Sequence, residues 1–225
     1  RQMVRDFGAP ENDLCQAIAE GNRARAAVRE ILHQRHAGRL EGSAAITIIR
    51  GFYTEDREQF ARSAPEKLRC ISPANSESRP RIMIKGAPLD HTALHCLVER
   101  CGGYVVAEDD WSGSRAAGDH DIRMDGDPVV AIFDKYFYDA VSPRVHPPSD
   151  ADAWFGREIK KNKVNGVLFY IPLEDDVVGW DYPRHLALLK TGGVPSLAVR
   201  ESGAPEPSSR LTDQVSDFVR MLRRE

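Results

Sequence analysis

Residues 164–171 read Val-Asn-Gly-Val-Leu-Phe-Tyr-Ile, the most apolar run of the chain. Continuous rather than alternating hydrophobicity marks a strand covered on both faces, the pattern of a central strand in a parallel sheet. Shorter runs of the same texture lie on either side: RIMIK at 81–85, ending at Gly86, YVVA at 104–107, and PSLAV at 195–199. Amphipathic stretches separate them. Helices are predicted over 89–100, 127–138 with Pro128 in the first turn, 149–161, 183–191 ahead of Gly192 and Gly193, and 208–223 with Leu211, Val215, Phe218, Val219 and Leu222 on one stripe. Strands alternating with helices predict an α/β fold with a parallel four-stranded sheet flanked by helices.

Upstream the texture differs. Residues 11–36 predict one long helix, with Leu14, Ile18, Ala24, Val28, Ile31 and Leu32 at three- and four-residue steps, and with Arg25 and Arg29 among the residues filling the other faces. A second helix is predicted from Ser43 and a third over 54–64, started by Thr54. The polar stretch SPANSESRP at 72–80 reads as a linker. The expected organisation is a helical segment over 1–71, the linker, and an α/β domain over 81–225. The chain begins at Arg1, which fits a piece of a longer protein.

Charge and cysteine content exclude several classes. Lys plus Arg number 31 against 34 Asp plus Glu, a net charge of −3, which argues against a generally basic nucleic-acid binder. No apolar run approaches the ~20 residues that span a bilayer, and no signal segment opens the chain, so a cytoplasmic protein acting away from membranes is expected. The four cysteines, Cys15, Cys70, Cys96 and Cys101, form no C-x-x-C pair. Cys96 and Cys101 would lie about 140° apart around a helix, off any common ligating face. His91 and His95 have metal-sharing spacing but no evident third ligand.

Ligands of parallel α/β folds bind beyond the strand C-termini, so the segments after the strands carry the chemistry. Lys85–Asp90 lacks the glycine pattern of a dinucleotide cradle and the lysine of a P-loop. Residues 108–115 hold three carboxylates, then Trp111, Ser112, Gly113, Ser114 and Arg115. Ser112, the Gly113 amide and Arg115 suit a phosphate or carboxylate; the other reading is a solvated loop in which Arg115 neutralises its neighbours. Glu174, Asp175 and Asp176 follow the third strand, with Asp181 read as the cap of the next helix. Clustered carboxylates there suit acid–base work or a hard cation, the basis of a metal-dependent hydrolase reading. His146 is expected near the same edge.

These loops, together with GAPLD at 86–90, NGVLFY at 165–170, GWDYP at 179–183 and GVPSL at 193–197, resemble the 2-hydroxyacyl-CoA dehydratase and benzoyl-CoA reductase subunits over about residues 10–225. The resemblance implies a flavodoxin-like (Rossmann-like) sheet, a homologous partner subunit, an acyl-CoA substrate and an ATP-dependent activator that injects one electron. It also implies a four-iron, four-sulfur cluster in the family's subunits. Where the family places cluster cysteines, this chain has Trp111 and, close by, Asp175. Indole cannot ligate iron and a carboxylate is a hard donor. The expectation is therefore a chain without a cluster of its own, with Trp111, Ser112, Gly113, Ser114, Arg115, Asp175 and His146 as ligand-binding candidates. The alternative is a flavodoxin-like module that binds a small anion or a protein partner without redox chemistry.

Overall fold

The computed structural model describes residues 11–87, 89–110, 112–139, 147–173, 175–202 and 206–224. Trp111, His146 and Glu174 lie outside the described residues. Four strands, β1 (Arg81–Gly86), β2 (Tyr104–Asp109), β3 (Gly166–Pro172) and β4 (Ser196–Glu201), form one sheet in the order β2-β1-β3-β4. Every pairing is parallel. The run at 164–171 is therefore an interior strand, as its hydrophobicity predicts.

The helices are α1 (Glu11–His36), α2 (Gly42–Thr54), α3 (Arg57–Arg69), α4 (Ala93–Arg100), α5 (Pro128–Asp134), α6 (Pro148–Lys161), α7 (Asp176–Thr191) and α8 (Ser209–Leu222). Strand residues alternate between two layers. Ile82, Ile84, Leu168, Tyr170 and Val199 pack with α4 and α8, where Leu94, Leu97, Val215 and Phe218 are buried. Met83, Val167, Phe169 and Ile171 pack with Trp154 and Phe155 of α6 and Leu189 of α7. Each such side chain removed from water contributes about 1.5–3 kcal/mol. No helix among the described residues is long and apolar enough to cross a membrane.

Helices α1 to α3 carry a core of their own, with Val28, Ile31, Ile49, Phe52 and Phe60 buried together. Residues 72–80 contain no helix or strand. The helical segment is nonetheless fastened to the sheet. The Tyr104 hydroxyl sits 2.5 Å from the Arg35 carbonyl and 2.6 Å from that of Leu40, donating to one at a time. Glu99 of α4 accepts from the Ser43 amide at 2.8 Å and so caps α2 from outside.

Several boundaries differ from the sequence reading. The third helix starts at Arg57 because Asp56 accepts the Glu58 and Gln59 amides at 3.0 Å each; Thr54 instead ends α2. Helix α4 begins only at Ala93. The helix predicted from Pro183 begins at Asp176, so Asp181 is not its cap and bonds Arg184 at 2.8 Å instead. Pro183 lies inside α7, where its missing N–H removes one ladder bond. The helix over 127–138 is capped by Asp127, runs to Asp134 and continues as a π-helical turn, Lys135–Asp139.

Candidate functional site

Strands β1 and β2 end in charge. Their ladder pairs Ile82 with Val105 and then Met83 with Ala107, leaving Val106 as an extra residue on β2. Such a bulge reverses the facing of every later side chain. Asp109 thereby comes to lie opposite Lys85, with which it forms a buried ion pair. Glu108 faces α4 instead, where His95 Nε2 lies 3.0 Å from its Oε1 and Arg35 Nη1 reaches the same oxygen at 2.5 Å. Burial pushes the Glu108 carboxyl up, but the Arg35 charge and His95 outweigh it and hold the group well below the usual carboxylate range. Asp109 is likewise held down: burial opposes, and Lys85 and Arg115 prevail.

The reading of 108–115 as one solvated loop therefore needs correction. Glu108 and Asp109 are the last residues of β2 and are 0% and 2% exposed. Buried partners make this possible, since an unpaired buried carboxylate would be protonated instead.

Beyond the strand, the loop is held from within. The Ser112 and Gly113 amides donate to Asp110 Oδ1 at 2.8 and 2.7 Å. Burial, then the Glu108 charge, raises the Asp110 pKa. Ser114 Oγ accepts from the Glu108 amide and from Arg35 Nη2, each at 3.1 Å. Arg115 donates to Asp109 Oδ1 from Nε at 2.9 Å and Nη2 at 2.6 Å, and its guanidinium stacks 3.5 Å above the Trp154 ring. Asp175 follows β3, its amide bonded to the Pro172 carbonyl.

Ser114 and Arg115 form one wall of a cleft of about 820 Å3 bounded by α1, the α2–α3 junction, the 114–120 loop, the π turn and α6. Ser112, Gly113 and Asp175 do not line it. Besides Arg115, the cleft is lined by cations that sequence reading passed over. Arg29 pairs with Asp121, Arg35 with Glu108, Arg115 with Asp109 and Lys161 with Glu158. Among the described residues, no direct ion pair engages the other four lining cations, Arg25, Arg57, Lys135 and Arg157. Arg25 donates to Asn22 Oδ1 and the Tyr136 hydroxyl, Arg57 stacks 3.9 Å above the Phe52 ring, and Lys135 donates to the His120 carbonyl. Arg29 Nη1, Arg35 Nε and Arg57 Nη1 are buried without a hydrogen-bond partner among the described residues. The visible signal is the four-residue step from Arg25 to Arg29, which places both on one side of α1.

The donor set for an iron–sulfur cluster can be tested against the same structure. Cys15 on α1 and Cys70 at the end of α3 are exposed, and Cys96 and Cys101 are half-buried on and just after α4. Burial pushes the Cys101 thiol up, away from the thiolate that ligates iron. Among the described residues no three His, Cys, Asp or Glu side chains gather in a metal-holding group. The thiols described do not fit a cluster site.

Comparison with curated proteins returns no match. A family model described as 2-hydroxyglutaryl-CoA dehydratase, D-component, matches residues 7–222, nearly the whole chain. The helical segment, the parallel sheet and the cleft between them thus all fall within that match, and the chain belongs to the 2-hydroxyglutaryl-CoA dehydratase D-component family.

Proposed function

We propose that the chain is an acyl-CoA-binding subunit of a 2-hydroxyacyl-CoA dehydratase- or benzoyl-CoA reductase-like complex, and that the cleft receives the CoA portion of the thioester. The observation that carries this reading is the charge surplus: eight Lys and Arg side chains line one cavity against the three carboxylates Asp119, Asp139 and Glu158. Of the eight, Arg25, Arg57, Lys135 and Arg157 have no direct ion pair among the described residues, although Asp139 and Asp119 act on Lys135 from a distance. CoA brings the complement. Its 3′-phosphomonoester carries about −1.5 to −2 near neutral pH and its two bridging phosphates about −1 each. A cavity of about 820 Å3 falls within the ~300–1,000 Å3 usual for ligand sites. The Arg57 guanidinium, held 3.9 Å over the buried Phe52 ring, offers a planar cation of the kind that purine rings stack on.

In this reading the chain supplies binding and subunit contacts, and a homologous partner holds any cluster. Four cysteines on helices or at their C-terminal ends, none in the segments after the strands, support that division. Iron and acid-labile sulfide analysis of anaerobically purified protein tests it: near-zero iron is expected, and stoichiometric iron with sulfide would overturn it.

The second reading, a small-anion module without redox chemistry, draws on the same cations. Calorimetric titration with CoA, dephospho-CoA, pantetheine and pyrophosphate separates the two. The CoA reading expects dephospho-CoA to bind roughly tenfold more weakly than CoA, the value of one charge-assisted phosphate contact, and pantetheine to give no heat. Pyrophosphate binding as tightly as CoA would favour the small-anion module.

A further inference from the structure

The π turn that closes one side of the cleft is fastened by the cations that face the cavity. Tyr136 accepts from Arg25 Nη2 at 2.6 Å, and its ring centroid lies 5.8 Å from the Arg25 guanidinium carbon. Lys135, one residue earlier, donates to the His120 carbonyl and lies against Gly118, where a Cβ would stand 2.9 Å from its Nζ. Apolar anchoring of this segment is slight. Ala131 and Ile132 meet Ile18 and Ile122 in a small cluster separate from the three larger cores. The outer side of the segment is exposed, with Phe133 and Phe137 stacked and Tyr138 edge-on to both.

Arg25 is 6% exposed, and the groups it bonds, Asn22 and Tyr136, are neutral. A buried guanidinium without a counter-charge is costly, and an incoming phosphate would be the stronger acceptor. Turns of π-helix, moreover, occur frequently at functional sites.

We propose that Tyr136 and Arg25 form a latch: the tyrosine hydroxyl occupies the guanidinium in the absence of ligand, and an anionic group entering the cleft takes its place, releasing the π turn. The inference rests on the reading of the cleft as the site of a CoA phosphate. An acceptor that must first be displaced lowers apparent affinity by the fraction of molecules in which Arg25 is available. Removing the hydroxyl while keeping the ring removes that penalty.

The test is CoA binding by calorimetry to the wild-type chain, Tyr136→Phe, Arg25→Gln, and the double variant. Tyr136 is 60% exposed, so the phenylalanine variant keeps the fold. The latch predicts binding to Tyr136→Phe that is about threefold or more tighter than wild type, weakened binding to Arg25→Gln, and no effect of Tyr136→Phe in the Arg25→Gln background. Binding to Tyr136→Phe that is unchanged or weaker, with wild type binding CoA normally, overturns the latch alone. A wild-type chain that takes up no CoA overturns the reading of the cleft and the latch with it.

Discussion

Arg35 Nη1 lies 2.5 Å from Glu108 Oε1, with the two side chains 1% and 0% exposed. This pair joins the last turns of α1 to the end of β2, and so ties the helical segment to the sheet at the wall of the cleft. A buried ion pair of this kind offsets its own desolvation only while both partners are present.

Removing one partner should therefore cost far more than removing both. Arg35→Met is expected to lose about 3–5 kcal/mol of unfolding free energy, by denaturant titration, because Glu108 is left buried without its guanidinium partner, with His95 alone beside it. The double variant Arg35→Met, Glu108→Leu should regain most of that loss. A double variant as unstable as the single one would show that the pair does not act as a unit.

His185 supplies a pH dependence. The ring is 3% exposed and packs edge-on to Phe155 with centroids 5.2 Å apart. Burial, then the Lys85 and Arg184 charges, lowers its pKa to about 4 against the pull of Asp109 and Asp152. The folded protein thus holds it neutral, whereas the unfolded chain takes up the proton near the ordinary value of about 6.5. Stability from this group is present above about pH 6.5 and is lost as pH falls toward 4. Unfolding titrations at stepped pH should show wild type weakening across that window and His185→Leu weakening less. Equal slopes would rule the assignment out.

Two glycines give opposite expectations. A Cβ at Gly42 would stand 2.5 Å from the Val105 carbonyl oxygen, where α2 meets β2. Gly42→Ala should lose about 1–3 kcal/mol through overpacking against backbone. Gly156 lies inside α6, and a Cβ there would meet no atom within 4 Å among the described residues. Gly156→Ala should gain about 0.5–1 kcal/mol from helix propensity. Thermal denaturation of the two variants beside wild type checks both signs.

The sheet was legible because a strand buried on both faces leaves a continuous apolar run, as at 164–171, and helices between strands leave a stripe, as at Leu211, Val215 and Phe218. Thr54 and Asp181 misled because each has the chemistry of a cap, and which polar residue takes that place depends on backbone direction at the turn. The charged site was legible only in part. Ser114 and Arg115 do line the cleft. The roles of Glu108 and Asp109 were hidden, since a single bulge at Val106 decides which face each carboxylate takes and no local residue announces it. The cations come from distant segments, Arg25 from α1, Arg57 from α3 and Arg157 from α6, and only the packing of those helices brings them to one cavity.

If the cations of the cleft receive the phosphates of a CoA thioester, their removal must weaken CoA binding. Calorimetric titration of CoA into Arg57→Ala, Arg157→Ala and the pair combined reads this out, because neither side chain has an ion pair among the described residues whose loss would disturb the fold. About tenfold weaker binding is expected for each single variant, and a larger loss for the pair. Wild-type affinity in the double variant would show that the phosphates bind elsewhere.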